Sequence, residues 1–290
     1  MRYAFSTLGV PGRSVAETAE LAAAHGFDGV ELRAHPEEPL HPGTPSPERA
    51  EAVRTFAAAG VEVLAVAGYA KVAAVGEDEP VVAELLSLIV LAAELGARYV
   101  RVFPGGGNQP TADADRLAVR RLAAAAPFAE RHGVRLLLET HDSHQTGAAI
   151  GRVLDQVGHR AVGALWDVLH TWLGGEAPAD TRRALAGHLG YVQVKDVASA
   201  GELSPLALGA GALPLAEAVA EAPSDGWLCW EYEKRWYPDA PDLPGLLTGG
   251  RAYLAGLVPG GRTDEEVVAG QAEDPSRSGS TACRKGSPWA

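Results

Sequence analysis

Four stretches of this chain share one local pattern: AAAHGFDGVEL, FAAAGVEVLAV, LAAELGARYVRV and FAERHGVRLLLE. In each, a helical run rich in alanine meets a glycine, and an apolar strand-like run follows two or three residues later. Gly26, Gly60, Gly96 and Gly133 stand where a helix end wants a left-handed residue. They recur at intervals of 34 to 37 residues, which suits one strand–helix unit per repeat. Extending the pattern predicts strands at 3–6, 29–32, 62–67, 98–103, 135–139, 164–167, 191–195 and 228–232. Helices are predicted at 14–25, 47–59, 79–95, 112–132, 145–157, 180–188, 213–221 and 242–256, with Ser14 and Ser46 as N-caps and Glu17 completing a capping box. Strands and helices alternating in this way over roughly 250 residues demand a (β/α)8 barrel, whereas a doubly wound open sheet would use fewer units. The chain therefore reads as α/β, a single TIM barrel over residues 1–258. Residues 259–290, rich in glycine, proline, serine and charge, read as a flexible low-complexity tail.

A barrel brings the C-terminal ends of its strands to one face. Here the last four predicted strands, RLLLE, GALWD, YVQ and WLCWE, close on Glu139, Asp167, Gln193 and Glu231. One such carboxylate alone is as readily a helix cap or an arginine partner. Three of them crowded together disfavour one another's ionisation, and a divalent cation removes that penalty. Donors that are all oxygen suit Mn²⁺ or Mg²⁺ better than a zinc site built on thiolates; Mn²⁺ is expected, with Mg²⁺, Co²⁺ or Zn²⁺ as alternatives.

These residues resemble the xylose isomerase-like TIM barrels, the sugar phosphate isomerase/epimerase family. The resemblance covers about residues 1–256 and rests on FDGVELR, LLLETHDS, ALWDVLHTW, YVQVKD and WEYEKRWYPD. It implies a metal held by Glu139, Asp167 and Glu231, with Gln193 standing where the family usually has histidine. Some 3-dehydroshikimate dehydratases of the superfamily are similar in that glutamine. It also implies that His170, three residues after Asp167, lies beside the substrate. By strand parity Lys195 points inward with Gln193 as an electrophile for a developing oxyanion, or else forms a rim salt bridge. Glu31 and Arg33 share a parity at the end of strand two, where they would grip substrate hydroxyls or pair with each other.

The expected activity is a metal-dependent isomerase or epimerase of a sugar or related polyhydroxylated carbonyl compound. Glu139 and Glu231 would exchange the proton through an enediolate. The alternatives are a metal-dependent dehydratase of a cyclic hydroxy-ketone and, less favoured, a non-catalytic binding protein on the same barrel. His141, Asp142 and His144 are expected on the loop after strand five, with His144 a solvated neighbour of the site. Gly105–Gly107 reads as a tight turn, since it lacks the lysine and hydroxyl residue of a phosphate loop.

Composition removes other classes. With 25 basic and 37 acidic residues the net charge is −12, and no basic face for nucleic acid emerges. No run of 18 apolar residues could span a membrane, and the opening MRYAFSTLGV reads as a strand rather than a signal peptide. Cys229 and Cys283 lie far apart in sequence and suggest no disulfide framework, so a reducing cytoplasm is expected. The expected partner is a small molecule, and a homo-oligomer stays open.

Overall fold

The computed structural model describes residues 1–258; the expected tail, 259–290, lies outside the described residues. Strands β1 (Arg2–Ser6), β2 (Gly29–Arg33), β3 (Glu62–Lys71), β4 (Tyr99–Phe103), β5 (Arg135–Glu139), β6 (Val162–Asp167) and β7 (Leu189–Val194) lead to a short antiparallel hairpin, β8 (Val197–Ser199) with β9 (Glu202–Pro205). The final strand, β10 (Trp227–Trp230), pairs with both β7 and β1, so the parallel sheet closes into an eight-stranded barrel in the order β1-β10-β7-β6-β5-β4-β3-β2. Helices α1 (Val15–Ala24), α2 (Ser46–Ala58), α3 (Asp78–Glu94), α4 (Thr111–Arg131), α5 (Gly147–Val157), α6 (Val168–Leu173), α7 (Pro178–Ala184), α8 (Leu215–Glu221) and α9 (Leu247–Leu257) connect the strands or follow the last.

The glycine junctions behave as the pattern required. Gly26, Gly60, Gly96 and Gly133 have φ of 69°, 69°, 70° and 67°, a region in which a Cβ is strained. Ser14 caps α1, and its backbone N–H is accepted in return by Glu17. Ser46 does not cap: Pro45 holds the N-cap position and Ser46 is already the first helical residue. Proline-directed geometry has taken the place of a side-chain cap there. The predicted helix at 180–188 is α7, displaced to Pro178–Ala184, and α6 precedes it. A six-residue helix is too short for apolar periodicity to reveal, and the same holds for the β8–β9 hairpin.

Alternation along each strand divides two cores. Leu136 and Leu138 of β5 face the helices, while Leu137 lies inside the barrel with Ala4, Leu64, Ala65, Leu165, Tyr191, Trp227 and Cys229. Two residues beyond Leu137, Leu165, Tyr191 and Cys229 come Glu139, Asp167, Gln193 and Glu231, in the same inward parity. The apolar layer thus floors a polar one. No helix of the described residues is long and apolar enough to cross a membrane.

Candidate active site

The polar layer holds Glu31 from β2, Arg101 from β4, Glu139 from β5, Asp167 from β6, Gln193 from β7, then Lys195 just past β7 and Glu231 just past β10. All seven are buried, none more than 5% exposed. Glu231 stays in register although its strand ends at Trp230, because its N–H donates to the Val194 carbonyl at 3.0 Å. Removal of these charges from water is costly, so their pairing decides what the site can do.

Two cations supply part of the balance. Lys195 Nζ sits 2.9 Å from Asp167 Oδ2 and 2.9 Å from Glu233 Oε1, and it also contacts Glu231 Oε2. Burial opposes its charge, but Asp167, Glu231, Glu233 and Glu139 outweigh that and hold its pKa well above the ordinary lysine value. Lys195 is therefore an inward group, not a rim salt bridge. Arg101 Nε lies 3.1 Å from Glu139 Oε2, one guanidinium N–H donates to the Gly68 carbonyl at 3.0 Å, and the other nitrogen is 3.9 Å from Glu231 Oε1. Again burial is outweighed, here by Glu139, Glu31 and Glu231, and the pKa rises. Arg101 escaped the sequence reading, although its alternation with Val100 and Val102 in YVRVF marks it as inward. These two side chains give the acids a counter-charge from the protein itself, where a divalent cation was expected to remove the penalty. Glu31, Glu139, Asp167 and Glu231 still outnumber Arg101 and Lys195 by two.

The carboxylates differ in what they bind. Asp167 Oδ1 accepts from the Leu169 N–H at 2.8 Å and caps α6, leaving Oδ2 turned to the site. A helix cap and a site residue are here one side chain. Burial pushes the Glu139 carboxyl up to about 8 against the pull of Arg101 and His141. Glu31 lies beneath the rim and does not touch Arg33: Tyr191 donates its hydroxyl to Glu31 Oε2, and Gln193 Nε2 donates at 2.9 and 3.0 Å to the two oxygens. Burial, then Glu231, raises its pKa. Arg33, itself buried, donates instead to the Tyr69 hydroxyl at 2.6 Å and to Glu38.

Over this layer stand the histidines. His170 is pushed well below its usual pKa by burial, then by His141 and Lys195, and its ring centroid lies 4.0 Å from that of His141. His141 Nδ1 faces Asp142 Oδ2 at 3.1 Å, which fixes the ring and turns Nε2 elsewhere. His144 is not solvated. It is 1% exposed, with Nε2 3.0 Å from Asp115 Oδ1 and Nδ1 2.9 Å from Ser143 Oγ, and Arg152 binds the same Asp115. It braces the loop from behind. The glycine turn braces it from the other side, for the Gly105 N–H donates to Asp142 and the Gly106 N–H to Ser143 Oγ. Those amides are committed within the protein and form no phosphate cradle. Trp166 and Trp230 belong to the core, whereas Trp236 is half exposed near Arg33. Cys229 is a buried thiol whose pKa burial, then Glu31 and Glu231, drive well up, so it is no nucleophile.

Whether these residues fit a cation can be judged from what they leave unsatisfied. Glu139 Oε2, Asp167 Oδ2, Gln193 Oε1 and His170 Nδ1 are buried with no aligned hydrogen-bond partner among the described residues. Lys195 and Arg101 approach two of these oxygens without the geometry of a hydrogen bond. A buried unmade bond costs about 1–3 kcal/mol, and a positive ion is one group that would satisfy such ligand-type atoms. Among the described residues the His, Cys, Asp and Glu ligand atoms within 4.8 Å of one another are those of Glu139, His141 and His170; the expected ligands Asp167 and Glu231 are not in that group. The residues fit a divalent cation.

A closed barrel with a charged, ligand-rich layer at its C-terminal strand ends has the plan of a TIM-barrel enzyme. The chain belongs to the xylose isomerase-like TIM barrel family, whose model matches residues 19–253. Over 155 residues it is 32% identical to a Streptomyces coelicolor (strain ATCC BAA-471 / A3(2) / M145) protein provisionally named hydroxypyruvate isomerase. That match takes in 49% of this chain and 54% of the relative, so the chain spans about half the length of the curated protein it matches. The fold is similar to that of D-psicose 3-epimerase from Clostridium cellulolyticum H10, solved with D-tagatose (TM-score 0.76, 16% identity, 89% of this chain and 99% of that one). It is also similar to a Bacillus anthracis protein described as a probable 3-DHS dehydratase of petrobactin synthesis (TM-score 0.70, 17% identity, 86% and 97%).

Proposed function

We propose that this chain is a divalent-metal-dependent isomerase or epimerase of a sugar or related polyhydroxylated carbonyl compound. The observation that carries the proposal is the set of buried ligand atoms without a hydrogen bond, on Glu139, Asp167, Gln193 and His170, at the strand ends of one barrel face. Glu139, Asp167, Gln193 and Glu231 would hold the ion, Mn²⁺ by preference for an oxygen-rich set. When bound, such an ion polarises a substrate carbonyl and acidifies the neighbouring C–H. The protein's own groups then move the proton. Glu231, against the Lys195 ammonium, is placed to take it, and Glu139, beside the Arg101 guanidinium, is placed to return it. Reversal of these roles runs the reaction backwards through the same enediolate. His170, neutral at physiological pH, orients a substrate oxygen, and Lys195 and Arg101 offset negative charge as it develops. Arg33, paired with Glu38 and Tyr69, would line the mouth, and Glu31 acts on Gln193 from below. The expected setting is cytoplasmic, with a small molecule as the partner.

A dehydratase of a cyclic hydroxy-ketone is favoured by one feature, Gln193 in the place where the family usually has histidine. The two readings separate in D₂O. Mn²⁺-loaded protein is incubated with a panel of ketoses and cyclic hydroxy-ketones. Deuterium entering product without loss of water supports isomerisation or epimerisation; an enone supports dehydration. No exchange and no product with any member of the panel would overturn both.

A further inference from the structure

Gln193 faces two neighbours with two different ends, and only one end suits each. A glutamine amide is close to symmetric in shape, so nothing steric decides which end points at the ion cradle; the hydrogen-bond network must decide it. Glu31, fully buried on β2, supplies that decision. Its two oxygens lie 3.0 and 2.9 Å from Gln193 Nε2. The Tyr191 hydroxyl, two residues before Gln193 on the same face of β7, donates to Glu31 Oε2 and fixes the carboxylate in place. With Nε2 held by Glu31 and, at 3.4 Å, by Glu231 Oε1, Gln193 Oε1 is left buried without a hydrogen-bond partner. Were the amide reversed, Oε1 would oppose the Glu31 oxygens and an N–H pair would face the cation.

We propose that Glu31 is the positioning residue that makes Gln193 an oxygen ligand, with Tyr191 locking Glu31. The inference rests on the metal site proposed above. It gives the second carboxylate tier a task, in the way an outer carboxylate sets the tautomer of a metal-bound histidine. It also states what a glutamine needs in order to stand at this position. A histidine ligand presents a nitrogen from either edge of its ring, whereas an amide is a ligand in one orientation alone.

The test is Mn²⁺ affinity by isothermal titration calorimetry on the full chain, together with the melting temperature of the metal-free protein. Wild type is expected to bind Mn²⁺. Glu31→Gln offers an N–H of its own to Gln193 Oε1 and lets the amide turn round, so affinity should fall about 10–100-fold, the range seen for lost outer-shell partners. Because that change also removes a buried charge, the metal-free melting temperature should hold or rise, which separates positioning from mere support of the fold. The exchange Glu31→Gln with Gln193→Glu should restore affinity, since a carboxylate at 193 presents an oxygen whichever way it turns. If Glu31→Gln does not fold, the exchange carries the test alone: wild-type-like affinity supports the proposal and its loss overturns it. Unchanged affinity in a folded Glu31→Gln also overturns it. Failure of wild type itself to bind Mn²⁺ removes the metal site and this inference together, and is recognised as such because it appears before any substitution.

Discussion

Glu139 combines two roles that substitution can separate. Glu139→Gln keeps an oxygen donor of nearly the same shape and removes the group that carries the proton. Metal content, measured by elemental analysis, should fall in part, while turnover should drop by about 10²–10⁴-fold, the usual weight of a general acid or base. Its raised pKa has a consequence for pH. The folded protein holds a proton on Glu139 that the unfolded chain releases near 4.5, so between about 4.5 and about 8 the folded state binds more protons. Stability of the metal-free protein that is fully present below 4.5 from this group is therefore lost as pH rises toward 8. Thermal melts of chelated protein across that window should show the decline, and saturating Mn²⁺ should flatten it; a melting temperature that climbs with pH in chelator would contradict the assignment. His144→Ala belongs to a different kind of effect. It strips a buried partner from Asp115 and should cost about 1–3 kcal/mol in denaturant unfolding.

At the level of elements, the site is assembled by loops that are tied down by carboxylates flanking the chemistry. Asp196, directly after Lys195, is buried and accepts from the N–H groups of Gly209 and Gly211 at 2.9 Å, Val197 at 3.1 Å and Leu213 at 3.3 Å. One side chain thus closes the excursion of β8 and β9 back onto the end of β7, in direct sequence contact with Lys195. Asp196→Ala leaves several of these amides without an acceptor. The expected result is a loss of about 2 kcal/mol or more in urea unfolding, with faster hydrogen exchange across 197–213. Exchange that stays slow there would show that other contacts hold the excursion. The loop after β5 is tied in the same manner, Asp142 and Ser143 receiving the Gly105 and Gly106 amides. At Gly105 an added Cβ would lie 2.5 Å from the Lys71 Cβ, with φ at +65°. Small, left-handed backbone is needed there because two loops pass in close contact.

For the whole molecule, the excess of buried carboxylates over buried cations makes stability depend on what fills the site. Treatment with chelator should lower the melting temperature and abolish turnover, with Mn²⁺ restoring both. When metal stands about a hundredfold above its dissociation constant, linkage alone adds about 3 kcal/mol to the folded state. A chelated protein as stable and as active as the loaded one would mean that Arg101 and Lys195 already balance the layer.

The repeat, the barrel and the inward parity of Glu139, Asp167, Gln193 and Glu231 could be read in the chain, because each follows from short-range rules. A glycine past a helix end and a period of two along a strand are written in consecutive residues. Arg101 was legible by the same parity rule within YVRVF, but an arginine in a strand carries no signal of which acids it will meet. The pairing came from the fold alone: Lys195 with Asp167 and Glu231 across three strand ends, Glu31 with Tyr191 and Gln193 across 160 and 162 residues of chain, His144 with Asp115 behind the loop rather than in solvent. Each of those partners is chosen by barrel closure and by the stagger of neighbouring strands, which place residues remote in sequence within 3 Å of each other. Electrostatic energy at such distances in a water-poor interior outweighs every local preference a sequence window can register.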